Sequence, residues 1–184
     1  DEHNKLHTII GETMATTYAV KVVSADDTFD PARTRLAIET RLDQINSRMS
    51  HYLVDSEVAM FNRSFTTDPF PLASETVDLI ATANEISRVS NGAFDITVGP
   101  FVDAWGFGPK DPPEILPGSK ALEELSAFVG YDLLVVDREA STVQKRRKEL
   151  SVDLSAIAKG HAVDAVAAIL GELGLSDYLV EIGG

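Results

Sequence analysis

Cysteine is absent from the sequence, which excludes disulfides, thiolate nucleophiles and zinc–thiolate centres. That absence is compatible with an oxidising compartment. Basic residues are scarce: 16 Lys and Arg stand against 29 Asp and Glu, a formal net charge of −13 at pH 7. Nucleic-acid binding needs Lys and Arg clustered along a phosphate backbone, so no nucleic-acid partner is expected. The one dense basic run, Lys145-Arg146-Arg147-Lys148, lies between two strand-like segments and reads as a solvated hairpin tip. Long apolar runs are missing as well. None approaches the ~20 residues of a membrane span, and none resembles a signal-peptide core. What is present, 184 residues with 44% hydrophobic content and a mean hydropathy of −0.01, has the size and composition of one globular domain with a sizeable core. The first residue is Asp1 rather than Met, which fits a processed mature form or a trimmed chain.

The stretch that organises the chain is Leu150 to Asp164, LSVDLSAIAKGHAVD. Leu150, Val152 and Leu154 alternate as in a half-buried strand. Ile157, Val163, Val166, Ile169, Leu170 and Leu173 recur at near-helical spacing, so a strand is predicted to run into a helix between Leu154 and Ile157. Ser155 is placed to be the N-cap. The first turn of such a helix has backbone N–H groups without intrahelical partners and a partial positive charge. Lys159 adds a full cation, and Gly160 lets a ligand come close to the backbone. This is a candidate phosphate cradle, flanked by Asp153 and Asp164 as acceptors or as charge balance near a metal. Taken alone, the turn also fits ordinary packing.

Ahead of it, Thr16 to Val23 reads as a strand, with Met14 just before it as a core filler. Asp30-Pro31 then opens an amphipathic helix, Ala32 to Met49, with Leu36, Ile38, Leu42, Ile45 and Met49 inward. Ser56 to Asn62 is predicted as a short helical turn capped by Asp55 or Ser56, and Ser74 opens a helix over Glu75 to Val89, closed at Ser90-Asn91-Gly92. Gly92 to Gly108 has four glycines and the only tryptophan, with little periodicity. Phe94, Phe101, Trp105 and Phe107 are expected either to wall a site for a flat ligand or to plug the core. A proline-rich loop over Lys110 to Gly118 precedes a helix over Ser119 to Val129, with Leu122, Leu125 and Val129 inward. Asp132 to Val136, Thr142 to Lys145 and Leu150 to Leu154 read as a three-stranded meander. The helix from Ala156 is expected to end at Gly174, and Tyr178 to Ile182 is a last apolar strand. No repeat and no linker divides the chain, so residues 1–184 read as a single domain.

Five segments, GETM at 11–14, MSHYLVDSEVAMFN at 49–62, NGAFDITVGPFVDAWGFG at 91–108, VDLSAIAKGHAVD at 152–164 and YLVEIGG at 178–184, together resemble the ApbE family, the bacterial FAD:protein FMN transferases. The resemblance implies an α+β domain with a mixed or antiparallel sheet core packed with helices. It implies FAD as substrate, Mg2+, cleavage of the pyrophosphate, and attachment of FMN by a phosphoester bond to a Thr or Ser of an acceptor flavoprotein of the cell envelope. Residue by residue, it implies FAD contacts from Met14, Tyr52, Ala93, Phe94, Asp95, Asp153 and Lys159, and a Mg2+ ligand in the backbone carbonyl of Ala156. Mg2+ prefers hard oxygen donors and bridges phosphates with few protein ligands, so a carbonyl beside a helix N-terminus and a Lys is chemically coherent. Asp95 and Asp153 are expected to accept hydrogen bonds from a flavin or adenine edge. A periplasmic location, with any inner-membrane lipid anchor outside this chain, is implied in the same way.

The pattern departs from the family at its far end. The remaining Mg2+ ligands, an Asp and a Thr or Ser, and a catalytic His are expected beyond Gly184, so the chain reads as the N-terminal portion of a longer protein, completed by a C-terminal piece. His161 stands where the family carries an aromatic or similar residue and reads as structural. Two other functions stay open: an Mg2+-dependent FAD pyrophosphatase that uses water and releases FMN and AMP, and a non-catalytic FAD-binding envelope protein.

Overall fold

Two antiparallel three-stranded sheets, each with its own helices, carry the chain in the computed structural model, which describes residues 4–24, 29–108 and 112–184. The elements are β1 (Lys5–Thr13), β2 (Thr16–Ser24), α1 (Pro31–Met49), α2 (Glu57–Arg63), β3 (Phe70–Pro71), α3 (Ser74–Val89), α4 (Gly99–Ala104), α5 (Ser119–Ser126), β4 (Leu134–Asp137), β5 (Thr142–Lys145), α6 (Ser155–Glu172) and β6 (Tyr178–Ile182). This is the α+β class expected from the sequence. The residues gather into two compact units, one holding the chain up to Asn46 together with Ala158–Gly184, the other Ser47–Ile157. Lys110 and Asp111, at the start of the proline-rich loop, lie outside the described residues.

In the first unit the sheet order is β1-β2-β6. Strand β1 is an addition to the sequence reading. Its apolar residues do not alternate cleanly, for Leu6 and Ile10 face solvent while Ile9 is buried. It forms because β2 lies one two-residue turn away and pairs with it along its whole length, Lys5 opposite Ser24 and Thr13 opposite Thr16. Gly11 stands opposite Tyr18, and a Cβ on Gly11 would come within 2.5 Å of the buried Tyr18 ring, so this motif glycine is a packing requirement. The Tyr18 hydroxyl donates to Glu39 of α1 at 3.1 Å, and burial together with that carboxylate raises its pKa.

Helix α1 starts as its sequence demands: Asp30 Oδ1 accepts from the backbone N–H of Ala32 (3.1 Å) and Arg33 (3.0 Å), with Pro31 at the first helical position. Ile38, Leu42, Ile45 and Met49 are buried, but Leu36, expected beside them, is 67% exposed. At roughly 100° per residue, position 36 lies nearly opposite the face those four define. In α6 the deepest row is Ala158, Ala162, Val166 and Leu170, spaced four apart, while Ile157, Val163, Ile169 and Leu173 flank it half-buried. Strand β6 also corrects an expectation. Tyr178 and Leu179 are exposed, and among the described residues β6 pairs with β2.

In the second unit the sheet order is β3-β5-β4. Ser56 caps α2 by accepting from the Ala59 N–H at 3.0 Å. Helix α3 has no side-chain cap of its own. Glu57 of α2 serves it instead, accepting at Oε2 from the Ala73 N–H (3.1 Å) and the Thr76 hydroxyl (2.8 Å). Arg48 lies 3.8 Å from Glu57 and 2.7 Å from Glu75, tying the end of α1 to both helices. Helix α5 stops at Ser126, short of the expected Val129, and Leu122 and Leu125 are only half-buried.

Two further expectations are corrected here. Leu150 to Leu154 is buried with the predicted alternation, Leu150, Val152 and Leu154 inside, yet it joins no ladder. Its place beside a neighbouring strand is taken by the Asn62 carboxamide, whose Oδ1 accepts from the Val152 N–H and whose Nδ2 donates to the Val152 carbonyl, both at 2.8 Å. The Asp153 N–H donates to the Ile96 carbonyl at 2.7 Å. Lys145 is not at a solvated tip. It is 1% exposed, its Nζ donates to the carbonyls of Asn62 (3.1 Å) and Ser64 (2.9 Å), and it lies 4.7 Å from the centre of the Phe61 ring. Burial lowers its pKa to about 8. The outward residues of the run, Arg146, Arg147 and Lys148, are exposed as expected.

Asn62→Ala leaves two buried backbone groups of Val152 without partners, and the expected cost is about 2–4 kcal/mol, read as a fall in the urea midpoint with an unchanged slope. Lys145 gives a pH signature. Its folded form releases the proton near pH 8 whereas the unfolded chain holds it to 10.5, so the unfolded state binds more protons in that interval and stability rises with pH there. Tyr18, with its raised pKa, acts in the opposite sense above pH 10.0. Melting temperatures from pH 8 to 10 are therefore expected to gain a rising component in the parent protein that is missing from Lys145→Met.

Candidate functional site

The turn after α1 begins the site. Ser50 Oγ accepts from the N–H groups of Tyr52 and Leu53, each at 3.2 Å, and the Ser56 hydroxyl donates back to the Ser50 carbonyl. The turn closed in this way buries His51 and leaves Tyr52 half-exposed, its hydroxyl donating to the Phe107 carbonyl at 3.0 Å. Both residues line a cavity of about 790 Å³ within the second unit, together with Asn62, Arg63, Asp103, Glu149, Ser151 and Asp153, against an apolar side of Pro100, Val102, Leu125 and Phe128. Such a mixed lining, apolar walls with a few convergent polar groups, is the usual form of a small-molecule site.

Asp153 sets the start of α6. Its Oδ1 accepts from the Ser155 N–H at 2.8 Å, so the carboxylate caps the first turn and Ser155, expected to be the N-cap, is the first helical residue instead. The same Oδ1 is 3.3 Å from His51 Nδ1, and Ser155 Oγ is 3.4 Å from that nitrogen. Ala156 follows, exposed in the first turn. The helical pattern gives one lone pair of its carbonyl to the N–H four residues on and leaves the other for a hard cation, so the residue fits one position in a Mg2+ coordination shell. Among the described residues no three His, Asp or Glu side chains gather into a metal centre.

The Ala93-Phe94-Asp95 triplet does not line that cavity. Ala93 is exposed and Phe94 half-buried, and the carboxylate of Asp95 is already used by the fold. Its Oδ1 accepts from the Thr97 N–H and hydroxyl, each at 2.7 Å, and its Oδ2 from the Tyr131 N–H at 2.9 Å. Of the roughly four lone-pair positions of a carboxylate, little is left for a ring edge. For the aromatics of Gly92 to Gly108 a ligand wall and a core plug are both open from the sequence. Phe94, Phe101, Trp105 and Phe107 stay off the cavity, Trp105 and Phe107 being exposed, and the segment contributes Gly99, Pro100, Val102, Asp103 and Ala104 of α4 instead.

Met14 and Lys159 belong to the first unit. Met14 and Ala15 form the two-residue β1–β2 turn, with φ of 49° and 58°. Positive φ at both centres suits a tight hairpin but is costly for residues with side chains, so Met14 is a strained, half-buried turn residue and not the core filler expected. Lys159 is exposed on α6, its stem lying against Gly183: a Cβ there would stand 3.0 Å from Lys159 Cδ. Gly183 has φ of 92° and donates its N–H to the Thr17 carbonyl at 3.1 Å, so both conformation and space require glycine at this motif position. His51, Asn62 and Lys145 carry much of the local geometry and were not singled out as functional in the sequence. His51 and Asn62 fell inside a quoted motif, but nothing in their spacing distinguishes a buried polar side chain from a solvated one.

The chain is 38% identical over 174 residues to the FAD:protein FMN transferase of Vibrio cholerae, covering 95% of this chain and 52% of that relative. It is 39% identical over 187 residues to the FAD:protein FMN transferase of Haemophilus influenzae, covering 100% of this chain and 54% of that relative. The solved structure of the flavin transferase ApbE from Vibrio cholerae superposes with a TM-score of 0.94 at 36% identity, covering 99% of this chain and 58% of that one. The chain thus spans about half the length of the curated relatives it matches. With the ApbE family model matching residues 14–184, the chain belongs to the ApbE family.

Proposed function

We propose that these residues are part of an Mg2+-dependent FAD:protein FMN transferase of the cell envelope. The observation that carries the reading is the cavity on which Tyr52 and Asp153 meet, beside the first turn of α6, in a chain whose relatives bear that name. In this reading FAD contacts Tyr52 and Asp153 in the cavity, while contacts from Met14, Ala93, Phe94, Asp95 and Lys159 rest on the family resemblance alone. Tyr52, half-exposed and anchored through its hydroxyl, offers a ring face to the flavin. Asp153 accepts hydrogen bonds from the nucleotide, and Lys159, held along Gly183, places its ammonium against the pyrophosphate.

The reaction joins the hydroxyl oxygen of a Thr or Ser of the acceptor flavoprotein to the FMN phosphorus. The pyrophosphate P–O bond breaks, AMP leaves with the bonding electron pair, and the hydroxyl proton passes to a base. The Ala156 carbonyl would hold part of the Mg2+ coordination, and the ion when bound would neutralise charge on the phosphoryl oxygens. The other Mg2+ ligands and the base come, in this proposal, from outside these 184 residues, as the relatives' greater length allows. A periplasmic location with a lipid anchor is part of the same proposal.

The test uses the full-length protein with FAD, Mg2+ and a candidate acceptor, read by the acceptor's mass. Addition of one FMN, abolished by a chelator, is the expected result. Release of FMN and AMP without any acceptor dependence would replace the transferase by a hydrolase, and FAD bound but never consumed would leave a carrier. Lys159→Ala is expected to weaken FAD binding roughly 10–100-fold through the loss of a charge-assisted contact to phosphate, with little change in melting temperature because the residue is exposed. Unchanged affinity with a lower melting temperature would make the lysine structural.

A further inference from the structure

We infer that His51 is a positioning residue for the site: through Nδ1 it fixes the Asp153 carboxylate across the start of α6, so that Asp153 meets the nucleotide in one orientation. The inference rests on the FAD reading above. His51 lines the same cavity as Asp153, and the two side chains are 11% and 12% exposed. Its Nδ1 stands 3.3 Å from Asp153 Oδ1 and 3.4 Å from Ser155 Oγ. An ionised carboxylate only accepts, so in the neutral imidazole the ring proton belongs on Nδ1, shared between that carboxylate and the hydroxyl. Asp153 Oδ1 is then held by the backbone N–H of Ser155, with the imidazole Nδ1 3.3 Å away and hydrogen-bonded to the Ser155 hydroxyl beside it. Among the described residues Oδ2 has no such partner, and it is the oxygen left for a ligand.

The cost of the arrangement is visible at the other nitrogen. His51 Nε2 is buried, and among the described residues no hydrogen-bond partner reaches it. Buried polar atoms without partners are rare and call for a reason. A purely packing role would be filled better by an apolar side chain, which has no orphaned nitrogen. The ring of Tyr52 lies 4.1 Å from that of His51, centre to centre, and the turn closed by Ser50 and Ser56 fixes its backbone, so the imidazole has little freedom to seek another partner. What His51 supplies and an apolar residue cannot is the Nδ1 proton toward Asp153. Partners that orient metal-ligating side chains contribute about 10- to 100-fold to metal affinity or activity, and the lower end of that scale is expected for a carboxylate that orients a nucleotide.

The experiment measures FAD affinity of the full-length protein and of His51→Leu, His51→Asn, Asp153→Asn and the His51→Leu/Asp153→Asn double variant. In parallel, the ring nitrogens of His51 in the unaltered protein are followed by 15N NMR. Asparagine places an amide donor near the Nδ1 position, whereas leucine removes it. The expected results are a loss of about tenfold in FAD affinity for His51→Leu, most of the affinity kept in His51→Asn, no further loss when His51→Leu is added to Asp153→Asn, and a proton on Nδ1. The inference is overturned by wild-type affinity in His51→Leu, by a loss in the double variant equal to the sum of the single losses, or by a ring proton on Nε2. The NMR reading decides the matter even where His51→Leu fails to fold. Failure of the unaltered protein to bind FAD would remove the FAD reading itself, an outcome distinct from all of these.

Discussion

Everything near the candidate site depends on satisfying the backbone of one residue, Val152. Its N–H and carbonyl lie in the interior, where an unpaired group is expensive, and no strand runs beside them. The Asn62 carboxamide is the one amino-acid side chain shape, shared with glutamine, that offers an acceptor and a donor side by side as a peptide does. The backbone of Asn62 is engaged as well, its carbonyl accepting from the buried ammonium of Lys145. One residue at the end of α2 thus ties together the segment that leads into α6, the end of β5 and its own helix. Asp153 is the next residue after Val152, and its place follows from that tie and from its N–H bond to Ile96.

This explains which parts of the fold could be read in advance. Helices α1, α3 and α6 and strand β2 announce themselves by periodicity, and α1 also by its Asp30-Pro31 start, because each buries a face whose spacing follows from local geometry alone. Strand β1 does not, since its apolar residues point both ways and only the pairing with β2 makes it a strand. Leu150 to Leu154 carries a true strand pattern and true strand burial, and still lacks a ladder. Alternation reports which side chains go inside. It says nothing of whether the hydrogen bonds along the edges come from a strand or from an asparagine. Lys145 failed for a similar reason: neighbouring basic residues gave it the appearance of a surface run, whereas carbonyls at the end of α2 and the face of Phe61 make a buried seat for it.

The two aspartates of the site show the same limit at finer grain. FDIT at 94–97 and VDLS at 152–155 look alike in sequence, an aspartate two residues before a hydroxyl residue, and they do the same local thing. Each carboxylate accepts from the backbone N–H two residues on, at 2.7 Å for Asp95 and 2.8 Å for Asp153. They part at the second oxygen. In Asp95 it is taken by the Tyr131 N–H, which pins the segment to a distant loop, while Asp153 keeps its second oxygen clear of the described residues and shares its first with a histidine. A motif can therefore place two carboxylates alike and still not tell one whose oxygens are both used by the fold from one that keeps an oxygen clear of the described residues. The distinction lies in partners 36 and 102 positions away in the chain, the differences between 131 and 95 and between 153 and 51.

Charge sets the last constraint on what such a site does. A chain of net charge −13 disfavours an anionic ligand at a distance, so binding a pyrophosphate has to be decided within the first few ångströms, inside one screening length. The candidate residues answer that condition only in part. At the start of α6 the Ser155 N–H is taken by Asp153 and the Ile157 N–H by the Leu154 carbonyl, and Lys159 lies along Gly183 with its charge at the surface. One lysine and one helix terminus remain modest against the charge of a dinucleotide pyrophosphate. In the proposed reading a hard divalent cation, with the Ala156 carbonyl as one of its ligands, would supply the missing neutralisation. In the proposed reading, therefore, the metal requirement and the acidity of the chain are two sides of one electrostatic problem.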